Sequence, residues 1–254
     1  MNNKVLALVV IILVAVGAWL LLFSKPAVSV EELMENKAEA ISKTDAVSMN
    51  ILGNLNIAST SDGQDFNFKI PFSAVNKVDA VKQLTYLKVN TTIPTFINAQ
   101  LAGPIELEMY STDDKIYIGS NGVWATQENT GEVVDFSKLS DGAEPKITGG
   151  EKLDGKDVVV VEYEVDNDKL FGGIGELGIV EEMPESTREV TIKEWVSKET
   201  SLPVKSEMRL TVVMDGSSLS LNSVVTYDYG PINIVIPDEA KESVPLTEFV
   251  PTTQ

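Results

Sequence analysis

Residues Val5 to Phe23, VLALVVIILVAVGAWLLLF, form an uncharged apolar run bracketed by Lys4 and Lys25, and everything else in the chain must work where that run places it. As a helix rising ~1.5 Å per residue it covers roughly 28 Å, close to the ~30 Å hydrocarbon core of a bilayer. Trp19 and Phe23 fall where interfacial aromatics are expected. The competing reading is a cleaved secretory signal, whose apolar region usually runs about 7 to 15 residues before a small-residue cleavage site. Here the run is longer and Ser24-Lys25-Pro26 makes a poor site, so we read an uncleaved anchor. A lipid anchor would need a cysteine for acylation, and the chain has none. The expected organisation is a cytoplasmic tail (1–4), a single transmembrane anchor (5–23) in the cell membrane, a linker (24–29), one extracytoplasmic domain (30–245) and a disordered tail (246–254).

The charge balance narrows the partners. With 38 acidic against 20 basic residues and a formal net charge of −18, the chain repels nucleic acid and anionic headgroups, and we expect no nucleic-acid partner. Zero Cys removes disulfides, thiolate nucleophiles and sulfur-ligated metals, and zero His removes the usual general base and the commonest zinc ligand. An enzyme would have to run on carboxylates, Lys or Tyr. Carboxylate pairs such as Glu106/Glu108 and Glu162/Glu164 share a strand face, as a glycosidase pair could, but so acidic a chain produces such neighbours by chance. Asp166-Asn167-Asp168 opens like a calcium loop, yet Phe171 and Leu177 stand where Gly and Glu are required. We therefore expect a non-enzymatic protein with no cofactor and no metal.

After the anchor, Ser29-Val30-Glu31-Glu32 reads as a capping box. Val30, Leu33, Met34, Ala38 and Ile41 then recur on one face of a helix over about 30–43, with Glu31, Glu32, Glu35 and Glu39 beside them. From residue 47 the period becomes 2. Strands are expected from Val47 to Ile57, from Phe66 to Ala74 with Pro71 marking an edge or bulge, and from Leu84 to Ile93. Others follow at Ile105 to Met109, Lys115 to Gly119, around Trp124, and at Val158 to Val165. The last four run from Val190 to Val196, Val204 to Met214, Leu219 to Tyr229 and Ile232 to Ile236. Asn121-Gly122, Asp154-Gly155 and Asp215-Gly216 are turn dipeptides between them. Residues 127–150 lose all period and read as loops. In 166–182, Leu170, Phe171, Ile174 and Leu177 could form a helical face that four glycines weaken, giving an apolar flap.

About ten strands joined by short turns make a curled antiparallel sheet, mainly β with minor α, whose apolar face is covered by one or two helices. The order of elements resembles the LolA/LppX-like superfamily of lipoprotein carriers. The residues that carry the resemblance are Lys115-Ile116-Tyr117-Ile118 through Asn121-Gly122 to Trp124, Leu153-Asp154-Gly155-Lys156-Asp157, the stretch from Trp195 to Lys205 (WVSKETSLPVK), and Ile232 to Pro237 (INIVIP). The resemblance implies an open half-barrel whose concave face holds acyl chains, here with a protein anchor in place of a lipid-modified cysteine. In such a fold Phe66, Phe68, Ile70, Phe72, Ile105, Leu107, Met109, Met208, Leu210, Val212 and Met214 are the candidate ligand lining. The ordinary alternative is that these rows are core, filled by the protein's own helices, and that the acidic surface meets an envelope protein partner. Asn90-Thr91-Thr92 is a glycosylation sequon.

Overall fold

The computed structural model describes residues 31–61, 64–94, 103–129, 143–165, 187–214 and 217–245. The anchor and its flanks (1–4, 5–23, 24–29), the flap, the Asp166-Asn167-Asp168 run and the tail 246–254 lie outside them. Among the described residues no helix is long and apolar enough to cross a membrane.

Helix α1 (Glu31–Ser42) is followed by strands β1 (Ala46–Ser61), β2 (Gln64–Asp79), β3 (Leu84–Ile93), β4 (Gly103–Ser111), β5 (Lys115–Ser120) and β6 (Val123–Glu128). Then come β7 (Ala143–Leu153), β8 (Lys156–Val165), β9 (Thr187–Ser197), β10 (Pro203–Met214) and β11 (Ser217–Asp228). Helix α2 (Asp238–Lys241) and strand β12 (Val244–Pro245) close the described chain. The strands form one open sheet in the order β12-β6-β5-β4-β3-β2-β1-β11-β10-β9-β8-β7. Neighbours run antiparallel from β2 to β6 and from β7 to β11, while β12 lies parallel to β6. The alternating sequence pattern thus produces a meander in two runs, as expected, with β1 and β11 side by side in its middle.

Four expectations change. The sheet has twelve strands among the described residues rather than about ten. One addition is β7, which begins inside the stretch read as loop despite Pro145, Gly149 and Gly150. It lies at the end of the sheet order, where a missing N–H is tolerated, and a bulge between Ile147 and Gly149 takes up the irregularity. Of the two alternatives for Pro71, an edge or a bulge, the edge falls, because β2 stands between β1 and β3. Pairing with β3 is in register from Phe72 onward, and Thr91 Oγ1 donates to the Pro71 carbonyl at 3.0 Å. Finally, Ile232 to Ile236 is not a strand. Its isoleucines pack on a hydrophobic cluster, and β12 is the short strand that follows.

The turn dipeptides behave as their chemistry dictates. Asn121 and Gly122 (φ 50° and 82°) and Asp154 and Gly155 (φ 50° and 81°) both take the left-handed pairs that two-residue hairpins need.

The described residues divide into two compact units, one drawn from 31–43, 53–61, 64–69, 143–165, 187–214 and 217–226, the other from 44–52, 70–94, 103–129 and 227–245. In the second unit, one sheet face is closed by its own C-terminal segment. Tyr86, Tyr110 and Tyr117 are successive register partners on β3, β4 and β5. Tyr110, Tyr117, Ile234 and Ala240 make a buried cluster with Leu84, Tyr86, Trp124, Ile232 and Ile236 against it. The rings meet at centroid distances of 4.8 Å (Tyr86–Tyr110) and 5.7 Å (Tyr110–Trp124), within the range of favourable aromatic pairs. On the same face Lys88 bridges Glu106 (2.7 Å) and Glu108 (3.0 Å), and Tyr86 Oη donates to Glu108 at 3.2 Å.

Trp124 lies over its register partner Gly119, where an added Cβ would stand 2.6 Å from the indole. We expect Gly119→Ala to destabilise the protein by about 1–3 kcal/mol through forced repacking. Gly149→Ala, with nothing within 4 Å of the added carbon, should leave the thermal midpoint nearly unchanged. Equal effects of the two in a melting experiment would contradict this packing. Burial first, and then the charge of Glu108, push the Tyr86 phenol up to about 12 from its ordinary value of 10.0. Its contribution to stability is therefore complete below pH ~10 and is lost as pH rises towards ~12. Alkaline difference spectroscopy should show the latest-ionising phenol disappear in Tyr86→Phe.

Candidate functional site

In the second unit, the other face of the sheet is apolar and only partly covered. Register partners share a face, so the chain of pairs Phe72–Thr91–Ile105 places Phe72 and Ile105 two strands apart on that face. The next rows read Ala74–Val89–Leu107–Ser120 and Asn76–Leu87–Met109–Ile118–Ala125. Phe72, Leu87, Ile105, Leu107, Met109 and Ile118 are half-buried, whereas Ala74, Val89 and Ala125 are buried. Of the candidate lining, therefore, Phe72, Ile105, Leu107 and Met109 do come together on one face. Ile70 lies on the same strand and is buried (8% exposed).

Within this apolar surface stands one buried amide. Asn76 is 7% exposed, and its Oδ1 has no hydrogen-bond partner. The sequence carried the signal, since Asn76 falls in the inward row Phe72, Ala74, Asn76, but we gave that row only apolar residues.

The first unit treats its candidate residues differently. Met208, Leu210 and Val212 on β10 are 7%, 7% and 3% exposed, between Ile192 on β9 and Leu219, Leu221 and Ser223 on β11, all buried. This row is core. Met214 ends β10 opposite Ser217. Phe66 is 39% exposed and Phe68 half-buried on the first part of β2, their rings stacked at 6.1 Å. Leu170, Phe171, Ile174 and Leu177 lie outside the described residues.

Beside the β10 row is a polar centre that sequence reasoning did not find. Lys37, on the apolar stripe of α1 between Leu33 and Ile41, is paired with Glu194 of β9, their side chains 8% and 0% exposed. Tyr163 Oη on β8 donates to Glu194 Oε2 at 2.8 Å and accepts from Lys37 Nζ at 3.1 Å. Glu194 faces Ser206 on β10, so the triangle lies on the same face as Met208, and Lys37 brings α1 to this face at Glu194 and Tyr163. The second carboxylate oxygen, Oε1, has no partner. A charge inside each apolar row (Val190, Ile192, Glu194, Val196 on the strand; Leu33, Lys37, Ile41 on the helix) was the available signal.

On the opposite face of this unit, Trp195 is 5% exposed and covers Val158 and Val160, with Lys205 and Lys193 Nζ 4.5 and 5.2 Å from its ring centre. The strand-face carboxylate pairs are held by lysines. Lys88 joins Glu106 and Glu108, Lys193 approaches Glu162 (3.6 Å), and Lys146 approaches Glu164 (3.5 Å). Asn90 sits in the middle of β3, half-buried between Ser73 and Glu106.

The Lys37–Glu194 pair sets a stability test. Lys37→Met leaves a carboxylate buried without its cation, and should cost about 3–5 kcal/mol in urea unfolding. Lys37→Met with Glu194→Met should regain most of that loss. If the double variant is as unstable as the sum of two independent losses, the pair is not what holds α1.

No family profile and no curated protein sequence matches the chain. Among solved structures it is similar to the Mycobacterium tuberculosis lipoprotein LppX (13% identity, 80% of this chain and 96% of that one, TM-score 0.40). It is likewise similar to LprF from Mycobacterium bovis (14%, 82% and 95%, TM-score 0.41). A third is the LolA superfamily protein of Nitrosomonas europaea (13%, 84% and 97%, TM-score 0.26).

Proposed function

We propose that this chain is a membrane-anchored, extracytoplasmic protein that binds a lipid or another hydrophobic molecule on the apolar face of β2–β5, without catalysing a reaction on it. The observation that supports this most is the half-burial of Phe72, Leu87, Ile105, Leu107, Met109 and Ile118 on one face. Apolar side chains placed together and left partly open gain roughly 25 cal/mol for each Å² of apolar surface that a ligand removes from water. Met109 adds a side chain pliable enough to fit irregular chains. The opposite face of the same strands, by comparison, is closed by Ile234, Ala240 and their neighbours. The reading also rests on the sequence resemblance, which implies acyl-chain binding, and on the 5–23 run, which would keep the domain at the membrane surface. A permanently anchored binder presents or receives its ligand locally and does not shuttle.

A second reading has its own support. The β10 row is buried to 3–7% exposure within the chain itself, as in a sheet filled by its own parts, which fits an interaction module for an envelope protein.

Uptake of cis-parinaric acid, a polyene acyl probe, by the full chain held in amphipol distinguishes the two. Saturable binding near one probe per chain is expected, with Leu107→Glu weakening it at least tenfold while the thermal midpoint stays within a few degrees. Absence of uptake by the unaltered protein would reject the lipid reading in favour of the interaction module.

A further inference from the structure

We infer that Asn76 selects, among hydrophobic ligands, those that carry a hydrogen-bond donor within their apolar part. The inference rests on the lipid-binding reading of the β2–β5 face and adds a polarity requirement to it.

The argument begins with cost. A buried acceptor without a partner loses its hydrogen bonds to water, a penalty of about 1–3 kcal/mol in proteins. Asn76 is 7% exposed and its Oδ1 is in that state, so the sheet holds the amide there at a loss. Leu or Val at the same position would avoid the penalty and continue the row. The position is internal, since β2 lies between β1 and β3, and the register from Phe72 to Asp79 is continuous. No bulge turns the side chain away, and the β3 partner of Asn76 is Leu87.

The surroundings define what would relieve it. On the β3 side of Asn76 the row continues with Leu87, Met109, Ile118 and Ala125, every one of them apolar. Leu87, Met109 and Ile118 are half-buried and share the row of the amide, whose Oδ1 is itself sealed from solvent, so a ligand seated on them meets that oxygen once the side chains over it move aside. Lys88, Glu106 and Glu108 pair with one another on the opposite face, where Lys77 and Asp79 of β2 also lie by register. What fits is therefore an uncharged donor, a hydroxyl or an amide N–H, set among methylenes. A plain hydrocarbon chain would cover Oδ1 and leave it unpaired, whereas a hydroxylated or amide-bearing lipid would satisfy it. Since an amide offers both an oxygen and an NH₂, the selectivity attaches to the Asn76 side chain as a whole.

The test uses the full chain in amphipol and displacement of bound cis-parinaric acid by methyl stearate and by a set of monohydroxylated methyl stearates. The expected result is that the best hydroxylated ester displaces the probe at a concentration roughly five- to a hundredfold lower than methyl stearate, the range implied by relief of one orphaned acceptor. In Asn76→Leu this preference should vanish and methyl stearate should compete at least as well as before. Asn76→Ala serves if the leucine variant fails to fold, and it should also lose the preference. Equal displacement by plain and hydroxylated esters in the unaltered protein, with normal probe uptake, would overturn the role of Asn76 and leave the lipid reading intact. Absence of probe uptake would overturn both.

Discussion

An antiparallel sheet places successive side chains on opposite faces, so a strand with apolar residues in both rows has two surfaces to hide from water. Much of this molecule follows from how that requirement is met. In the second unit, the row Lys77, Tyr86, Tyr110, Tyr117 points one way and the adjacent row Asn76, Leu87, Met109, Ile118 points the other. The tyrosine face is closed from within the chain, by Ile232, Ile234, Ile236 and Ala240. The leucine–methionine face is left partly open. The two faces of one set of strands are thus covered unequally.

The same constraint explains why the first unit carries a buried ion pair. Helix α1 meets its inward face at Glu194 and Tyr163 through Lys37, which interrupts a short apolar stripe. A helix of twelve residues with four glutamates gains little from propensity alone and depends on its packing. The pairing of Lys37 with Glu194 and Tyr163 fixes the position of the helix on β8 and β9, because any slide along the sheet separates two desolvated charges. An all-apolar contact would have tolerated small shifts at little cost. Here the ion pair specifies position, while Met208, Leu210, Val212 and Leu221 supply the burial.

The strands were legible because period-2 alternation and turn dipeptides are local signals. Leu84–Ile93 matches its predicted bounds, and Asn121-Gly122 and Asp154-Gly155 take the turn conformations that their chemistry requires. What escaped was set by non-local geometry. Whether Pro145 and two glycines end a strand depends on whether that strand lies at the end of the sheet, and β7 does. Whether Ile232 to Ile236 forms a strand depends on an available edge, and the segment instead spends its apolar side chains on the tyrosine cluster. The division of the candidate lining into a closed β10 row and a half-open β4 row could not be read from the residues either, since Met208-x-Leu210-x-Val212 and Ile105-x-Leu107-x-Met109 are nearly the same pattern. Coverage, not composition, distinguishes them.

Polar residues inside apolar rows were the most informative signal passed over. Lys37, Glu194 and Asn76 each break a period of otherwise apolar positions. A buried polar group lowers stability unless it is satisfied, so its presence needs a compensating partner, inside the chain or outside it. For Lys37 the partner is internal, and the result is a positioned helix. For Asn76 no partner is present among the described residues, on a face whose neighbouring side chains are half exposed. A residue that is unsatisfied in a closed core points to strain. Asn76 is sealed too, but it belongs to a row in which Leu87, Met109 and Ile118 are half-buried, so a molecule seated on that row is the nearest outside source of a partner.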